Sequence, residues 1–564
     1  MNALEVTVLL GVAVLAAALA AARVRVAPPL LLVALGLVLG LVPGLREIQL
    51  PPEAMLLLFL PVMLFWESLT TSLRSIKRDL RGIVILSTPL VVATAFAVAG
   101  IAHALGMPWA AALVLGAAVA PPDATAAAAL GRTLPRRQFM LLKAESLTND
   151  GTALVVYTIA VASASGSHFT ALDVTGLVLL SYLGGIAAGA VVAALAYIVM
   201  RPLRDPMAIN IALLVTPFLA YLIAELVGAS GVLAVVVAGL VVAYASARIS
   251  TATSRRQTES AWPLGAYVLN GALFVLIGLE VQAVVHTLGV AAVGRLVGLV
   301  LAVWVTLLVI RFVFPQLAVL VIRAVDRRPS QRARRMSYRA RVVSAAAEFR
   351  GAVSLAIALS VPLTLQDGRP FSGRDDIIVV TAGVILLTLL VQGPLLPVNV
   401  RWADLPADDS AERELRMAEE ELTMTAVAAL PDLAAEHGVG TEVLNRLTAD
   451  YDEHLTLVRA RQRKVGQQAG QAPGRASSEE LDVTVEAGAG RHPETTAAAR
   501  QVTAYAPLQR NEEYTRLRVA MLDRKREALL RLRRDGSIDD SVARRIQTRL
   551  DLEVLRLTGV EPFE

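Results

Sequence analysis

From residue 1 to about 402 the chain alternates between apolar runs near twenty residues long and short joints bearing charge, proline or glycine. A helix of about 20 apolar residues matches a hydrocarbon layer about 30 Å thick. The pattern predicts thirteen membrane-spanning helices, near 3–22, 27–43, 54–72, 83–104, 109–130, 138–163, 172–200, 207–228, 230–247, 263–285, 293–322, 343–365 and 376–400. Beyond residue 403 no such run occurs. The reading is an all-α polytopic membrane protein, with a membrane domain over 1–402 and a helical cytosolic tail over 403–564.

In the tail, Asp409 and Glu412 form a candidate capping pair ahead of a run rich in Ala, Glu, Leu and Met. A second helical stretch is expected over 441–464, and two more near 509–534 and 538–557. In the last of these, Val542, Ile546, Leu550 and Val554 recur every four residues and give one apolar face. Residues 465–497 are rich in Gly, Ala, Ser, Gln and Glu without apolar period and read as a disordered linker.

Charge then orients the membrane domain. Basic residues fall in alternate joints: Arg23 and Arg25, then Arg74 to Arg81, Arg132 to Arg137, Arg201 and Arg204, Arg248 to Arg256, and Arg323 to Arg341. The bias of Lys and Arg toward the cytoplasmic face predicts an external N-terminus and an internal tail. The same bias accounts for the net charge of +5 better than nucleic-acid binding does. Residues 1–22 superficially resemble a signal peptide, but they lack a basic start, carry Glu5 and lead into further spans, so they read as the first helix. The chain has no cysteine, which excludes disulfides, thiolate metal sites and a cysteine nucleophile.

Function is sought where polarity is costly. A charge at mid-membrane costs several kcal/mol, so each one needs a partner, an aqueous cavity or a role. The spans contain Glu67, Asp123, Glu145, Ser146, Asn149, Asp150, Glu225, Glu280, Arg311, Glu348 and Arg350. Pro121 and Pro122, beside Asp123, remove two backbone donors from the fifth span and predict a broken helix of the kind that lines ion sites. On the sixth span, 100° steps put Glu145, Asn149, Ser146 and Asp150 at about 0°, 40°, 100° and 140°, along one side of the helix. Hydroxyl, amide and carboxylate oxygens can replace the water shell of an alkali cation. Arg311 keeps its charge and needs a carboxylate. Glu145 and Asp150 are both candidates, and Glu145 is the better one because Asp150 must stay free to exchange ligands.

A carboxylate held out of water favours neutralisation, by a proton or by a cation. Competition for one such site, with alternating access to two sides, gives antiport without ATP. Asn149 cannot titrate, so one carboxylate implies exchange of one cation for one proton. The HExxH, GxS-type and GxxxxGK[ST] patterns do not occur as a set that would indicate a membrane enzyme or a nucleotide-driven pump. A channel is the other alternative, since broken helices occur there too.

The segments LFWESLTTSLRSIKRDLRG, APPDATAAAAL, KAESLTNDGTALVVY, LNGALFVLIGLEVQ and EFRGAVSLAIALSVP together resemble the monovalent cation:proton antiporter superfamily, in its bacterial sodium/proton exchanger branch. The resemblance implies a homodimer of thirteen-helix chains in the cell membrane. Each chain would contain two inverted six-helix repeats flanking a linker helix, with helices five and twelve unwound and crossing near the ion site. It implies Asp150 as the ion- and proton-binding carboxylate. Asn149, Ser146 and the Pro122–Asp123 backbone would be its neighbours, and Glu67 an acid close by. It further implies Glu145 and Arg311 as a buried ion pair, with Arg350 as the arginine of the RGA segment. The implied cargo is Na⁺, with Li⁺ possible and K⁺ as the alternative, against H⁺, for pH and sodium homeostasis. Lipid is the expected surrounding, and no cofactor, nucleotide or nucleic acid is implied. Many relatives place Thr where this chain has Pro122, which removes one hydroxyl from the expected ligand set.

Overall fold

The computed structural model describes residues 3–24, 28–46, 55–123, 134, 136–166, 170–287, 290–325, 337–365, 368–405, 410–453, 456 and 497–558. The chain divides into two compact units, Met1–Asp408 and Asp409–Glu564. Among the described residues both are helical, and the first has only an isolated bridge between Thr364 and Pro370.

Unit one begins with α1 (Ala3–Val24), α2 (Pro28–Leu39), α3 (Leu60–Leu69), α4 (Leu73–Ser87), α5 (Pro89–Ala104) and α6 (Trp109–Val119). It continues with α7 (Arg136–Ala164), α8 (Ala171–Leu179), α9 (Gly185–Met200), α10 (Pro206–Leu226), α11 (Gly231–Ile249), α12 (Ala252–Thr287) and α13 (Val290–Val325). It closes with α14 (Tyr338–Ala346), α15 (Ala352–Leu359), α16 (Arg374–Leu387) and α17 (Gly393–Ala403). Among the described residues eight helical stretches are long and apolar enough to cross a membrane, and α2, the Leu57–Leu69 stretch and α6 are shorter apolar helices. Each expected span has a helical counterpart among the described residues, but three depart from a simple rod. The span expected at 83–104 lies mostly on α5, which Pro89 begins after a break at Thr88. The fifth ends as α-helix at Val119, with residues 124–130 outside the described set. The twelfth is split into α14 and α15 by five non-helical residues, 347–351.

Local chemistry explains the starts. Ser72 accepts from the Ser75 N–H at 3.1 Å, Asp205 from those of Met207 and Ala208, and Ser230 from that of Leu233. Thr170 and Asp173 form a reciprocal capping box at α8. Each cap satisfies donors that the first helical turn leaves over. Leu180–Gly184 and Thr388–Gln392 are wide, π-type turns within otherwise continuous helices.

Small residues bring helices together without help from the hydrophobic effect, which is weak between surfaces already in lipid. A Cβ at Gly116 on α6 would collide with the Ala95 carbonyl of α5, and one at Gly36 on α2 with the Val275 carbonyl of α12. Large apolar side chains such as Leu183, Ile198 and Leu320 remain about 60–67% exposed on the outside of the bundle, where acyl chains would cover them.

Unit two contains α18 (Ser410–Glu436), a helical stretch over 441–453, α19 (Ala497–Asp535) and α20 (Asp540–Thr558). Val542, Ile546 and Leu550 are buried with Leu415, Leu422, Leu522 and Leu529, and Val554 packs against that core. Helix α19 begins twelve residues earlier than the apolar pattern suggested, because 497–508 contains good helix formers without an apolar stripe. The expected capping residue Asp409 and the linker over 465–496 lie outside the described residues.

Candidate ion site

The site is built where the two broken spans meet. The Asp123 N–H donates to the Phe349 carbonyl at 2.8 Å, and the Ala352 N–H donates to Asp123 Oδ2 at 3.1 Å. Arg350 Nε donates to the Val119 carbonyl at 2.6 Å, and Ser354 Oγ to that of Pro121 at 3.4 Å. Two unwound segments therefore satisfy each other's backbone, which is what permits irregular chain within a membrane. Gly351 is required at this crossing, because a Cβ there would fall on Asp123 Oδ2.

Helix α7 passes beside the crossing. Ser146 Oγ donates to the Pro122 carbonyl at 3.0 Å, tying the helix to the break in the fifth span. Asn149 is fully buried, and its partners orient the carboxamide nitrogen toward the Glu145 and Ser87 carbonyls, each at 3.2 Å. Asp150 is 1% exposed, and neither carboxylate oxygen has a hydrogen-bond partner among the described residues. Glu67, buried on α3, and Asp123 lie within electrostatic reach of Asp150. Lys143 acts on Glu67 in turn and donates to Thr70 Oγ1 at 2.6 Å. The structure thus brings Asp150, Asn149, Ser146, Pro122, Asp123 and Glu67 into one buried region, three carboxylates with one lysine nearby.

A second cluster stands apart in chemistry. Arg311 on α13 donates to both oxygens of Glu145, at 2.5 and 2.9 Å, and also contacts Glu348. Arg350 Nη1 lies 3.7 Å from the other Glu348 oxygen. All four side chains are buried. Arg350 is therefore not a direct partner of Glu145. The unit is a charge-balanced quartet in which Glu348 links the two arginines. Sequence reading noted Glu348 as a polar residue in an apolar run but gave it no role. Charge counting would have assigned it, since two buried arginines need two carboxylates besides Asp150.

Sequence reading also passed over Ser87, Thr152 and Tyr182. Thr152 Oγ1 donates to the Ser87 carbonyl at 2.8 Å and meets the Tyr182 hydroxyl at 2.5 Å. Isolated hydroxyls are common in membrane helices and carry no sequence signal of their own. Glu225 and Glu280, at span ends, are not part of either cluster.

A bundle of membrane helices in which two unwound segments cross beside a buried carboxylate without a described hydrogen-bond partner is the arrangement that secondary transporters use at their ion sites. More particularly, the chain belongs to the sodium/hydrogen exchanger family, whose transmembrane domain matches residues 10–402. It is 38% identical over 557 residues to an uncharacterized Na⁺/H⁺ exchanger of Mycobacterium bovis, covering 98% of this chain and 96% of that protein. It is 31% identical over 393 residues to a Na⁺/H⁺ antiporter of Aphanothece halophytica, covering 68% of this chain and 71% of that protein. A Bacillus subtilis relative described as a sodium, potassium, lithium and rubidium/H⁺ antiporter is 30% identical over 392 residues, 66% of this chain and 57% of the relative. In fold it resembles the sodium proton antiporter of Methanocaldococcus jannaschii, with a TM-score of 0.54 at 18% identity over 71% of this chain and 99% of that one.

Proposed function

We propose that this chain exchanges Na⁺ for H⁺, one for one, at Asp150. One observation carries the reading: Asp150 is withdrawn from water with both oxygens uncommitted to any described donor, whereas Glu145, five residues earlier on the same helix, is held by Arg311. An uncompensated buried carboxylate favours the neutral acid or a bound cation, and one position cannot hold both. Glu67 and Asp123 place further negative charge near Asp150, with Lys143 beside Glu67.

Asn149 is the adjacent polar residue and does not titrate, which supports electroneutral stoichiometry. Ser146, the backbone at Pro122, Asp123 and Glu67 are proposed as neighbours of the transported ion. The quartet of Glu145, Arg311, Glu348 and Arg350 is proposed as a structural strut holding α7, α13 and the crossing together. The chain is proposed to work as a homodimer in the bacterial cell membrane, tail inward, in pH and sodium homeostasis and without a resident cofactor. Residues 1–402 would carry exchange and 403–564 would form a separate cytosolic domain. A K⁺-accepting reading is favoured by the breadth of ions in the Bacillus subtilis relative's description.

The test is dissipation of a pH gradient in proteoliposomes on adding Na⁺, Li⁺ or K⁺ in turn. Na⁺ is expected to give the strongest signal, and Asp150→Asn to abolish it. Exchange by Asp150→Asn at the parent's rate would overturn the reading, and a steep dependence on membrane voltage would overturn the stoichiometry.

A further inference from the structure

No described donor fixes the Asp150 side chain directly. With both carboxylate oxygens free of described donors, the carboxylate stands where the backbone of α7 puts it. On that helix Asn149 and Thr152 are three residues apart and share a face, with Thr152 about 160° around the axis from Asp150. Thr152 therefore holds the helix from the side away from the carboxylate, with Asn149 between the two.

Both grip the same atom. The Ser87 carbonyl accepts from Thr152 Oγ1 at 2.8 Å and from the Asn149 carboxamide nitrogen at 3.2 Å. Ser87 is the last residue of α4, immediately before the break at Thr88 and Pro89. On the far side, Thr152 Oγ1 meets the Tyr182 hydroxyl at 2.5 Å, and that hydroxyl lies 3.5 Å from Thr88 Oγ1. Tyr182 occupies the wide turn Leu180–Gly184, an irregularity inside an otherwise regular span, and such turns often mark functional positions. Two elements thus converge on the stretch 149–152 of α7: the end of α4 and the wide turn before α9.

We propose that Tyr182, Thr152 and the Ser87 carbonyl form a positioning bracket for the exchange site, which sets where the Asp150 carboxylate stands and so its affinity for the cation. None of the three touches the transported ion. The proposal rests on the reading that Asp150 is the exchanging group.

The experiment measures initial exchange rate against Na⁺ concentration at fixed pH in proteoliposomes, with thermal melting of each purified variant alongside. A neutral hydrogen bond is worth about a factor of five in an equilibrium constant. Accordingly Tyr182→Phe and Thr152→Val are each expected to raise the apparent KM for Na⁺ about three- to tenfold, with a smaller change in maximal rate. Thr152→Ser, which keeps the hydroxyl, is expected to restore the KM toward the parent's. Thr158→Val is the control: its hydroxyl bonds only the Leu154 carbonyl on an exposed part of α7, and KM should not move. An unchanged KM in Tyr182→Phe and Thr152→Val, or a fall in maximal rate alone that tracks lost melting temperature, would overturn the bracket. Asp150→Asn separates the two levels: if it still exchanges, the underlying reading fails. If it is inactive while the bracket variants keep their KM, only the bracket fails.

Discussion

Arg311 grips both oxygens of Glu145, at 2.5 and 2.9 Å, and reaches no oxygen of Asp150, one and a half turns along the same helix. The arginine that could have neutralised Asp150 is committed elsewhere. Two carboxylates on one helix therefore differ in partner: one is held in a salt bridge, and the other has no hydrogen-bond donor among the described residues.

Removing one partner of that pair leaves a buried charge uncompensated, which costs about 3–5 kcal/mol. Arg311→Met is expected to lower the melting temperature in detergent sharply, and Glu145→Gln likewise. The double variant should be less destabilised than the sum of the two, because no orphan charge remains between them. Additive losses in this cycle would show that the pair is not coupled.

Gly351 offers a narrower test of the crossing. Ala at 351 would place its methyl on the Asp123 carboxylate, which is already held by the Ala352 N–H. Gly351→Ala is expected to abolish or severely reduce exchange. Activity near the parent level would mean the two unwound segments are not as closely apposed as the fold shows.

Helix approach gives a paired prediction. Gly116→Ala meets the Ala95 backbone, whereas Gly298→Ala on α13 meets nothing within 4 Å. The first should destabilise the protein by about 1–3 kcal/mol, as overpacking does, and the second should not. Melting curves of the two variants decide it.

In unit two, the Lys525 ammonium is buried against the Tyr451 ring, 4.7 Å from its centre. Burial, which disfavours the charged form, holds its pKa below the usual lysine value, with Glu553 opposing and Arg518 assisting. A lowered folded-state value means the unfolded chain binds more protons, so stability rises with pH from the folded pKa toward about 10.4. Burial of Tyr451 pushes its hydroxyl up to about 12, so the folded tail resists its ionisation and loses stability as pH rises past about 10. Hydrogen exchange of α19 amides in the full chain should therefore slow as pH rises toward about 10, where the tyrosine effect sets in, after correction for intrinsic rates. Lys525→Met should remove that rise, and a tail whose protection falls steadily over the same interval would contradict the assignment.

Much of this site could be read from the one-dimensional pattern because lipid makes polarity conspicuous. Asp123, Glu145, Asp150 and Arg311 were visible as charges in apolar runs, and Pro121 and Pro122 announced a break, since proline lacks the donor a helix needs. The break in the twelfth span was less legible in its own residues. Ala347–Gly351 contains no proline, and its non-helical stretch is met from another span, where the Asp123 N–H donates to the Phe349 carbonyl and the Val119 carbonyl accepts from the Arg350 side chain.

The sequence by itself determined that the chain lies in a membrane, how its apolar segments are parsed, and which few residues pay for being there. A bilayer solvent penalises each buried charge individually, and that penalty is local. Which charge pairs with which was decided only by the tertiary structure. The grouping of Glu348 with Arg311, the freedom of Asp150 and the convergence of Ser87 and Tyr182 on Thr152 each depend on helices far apart in the chain. Electrostatic pairing depends on distance in space, and spacing along a sequence does not encode it.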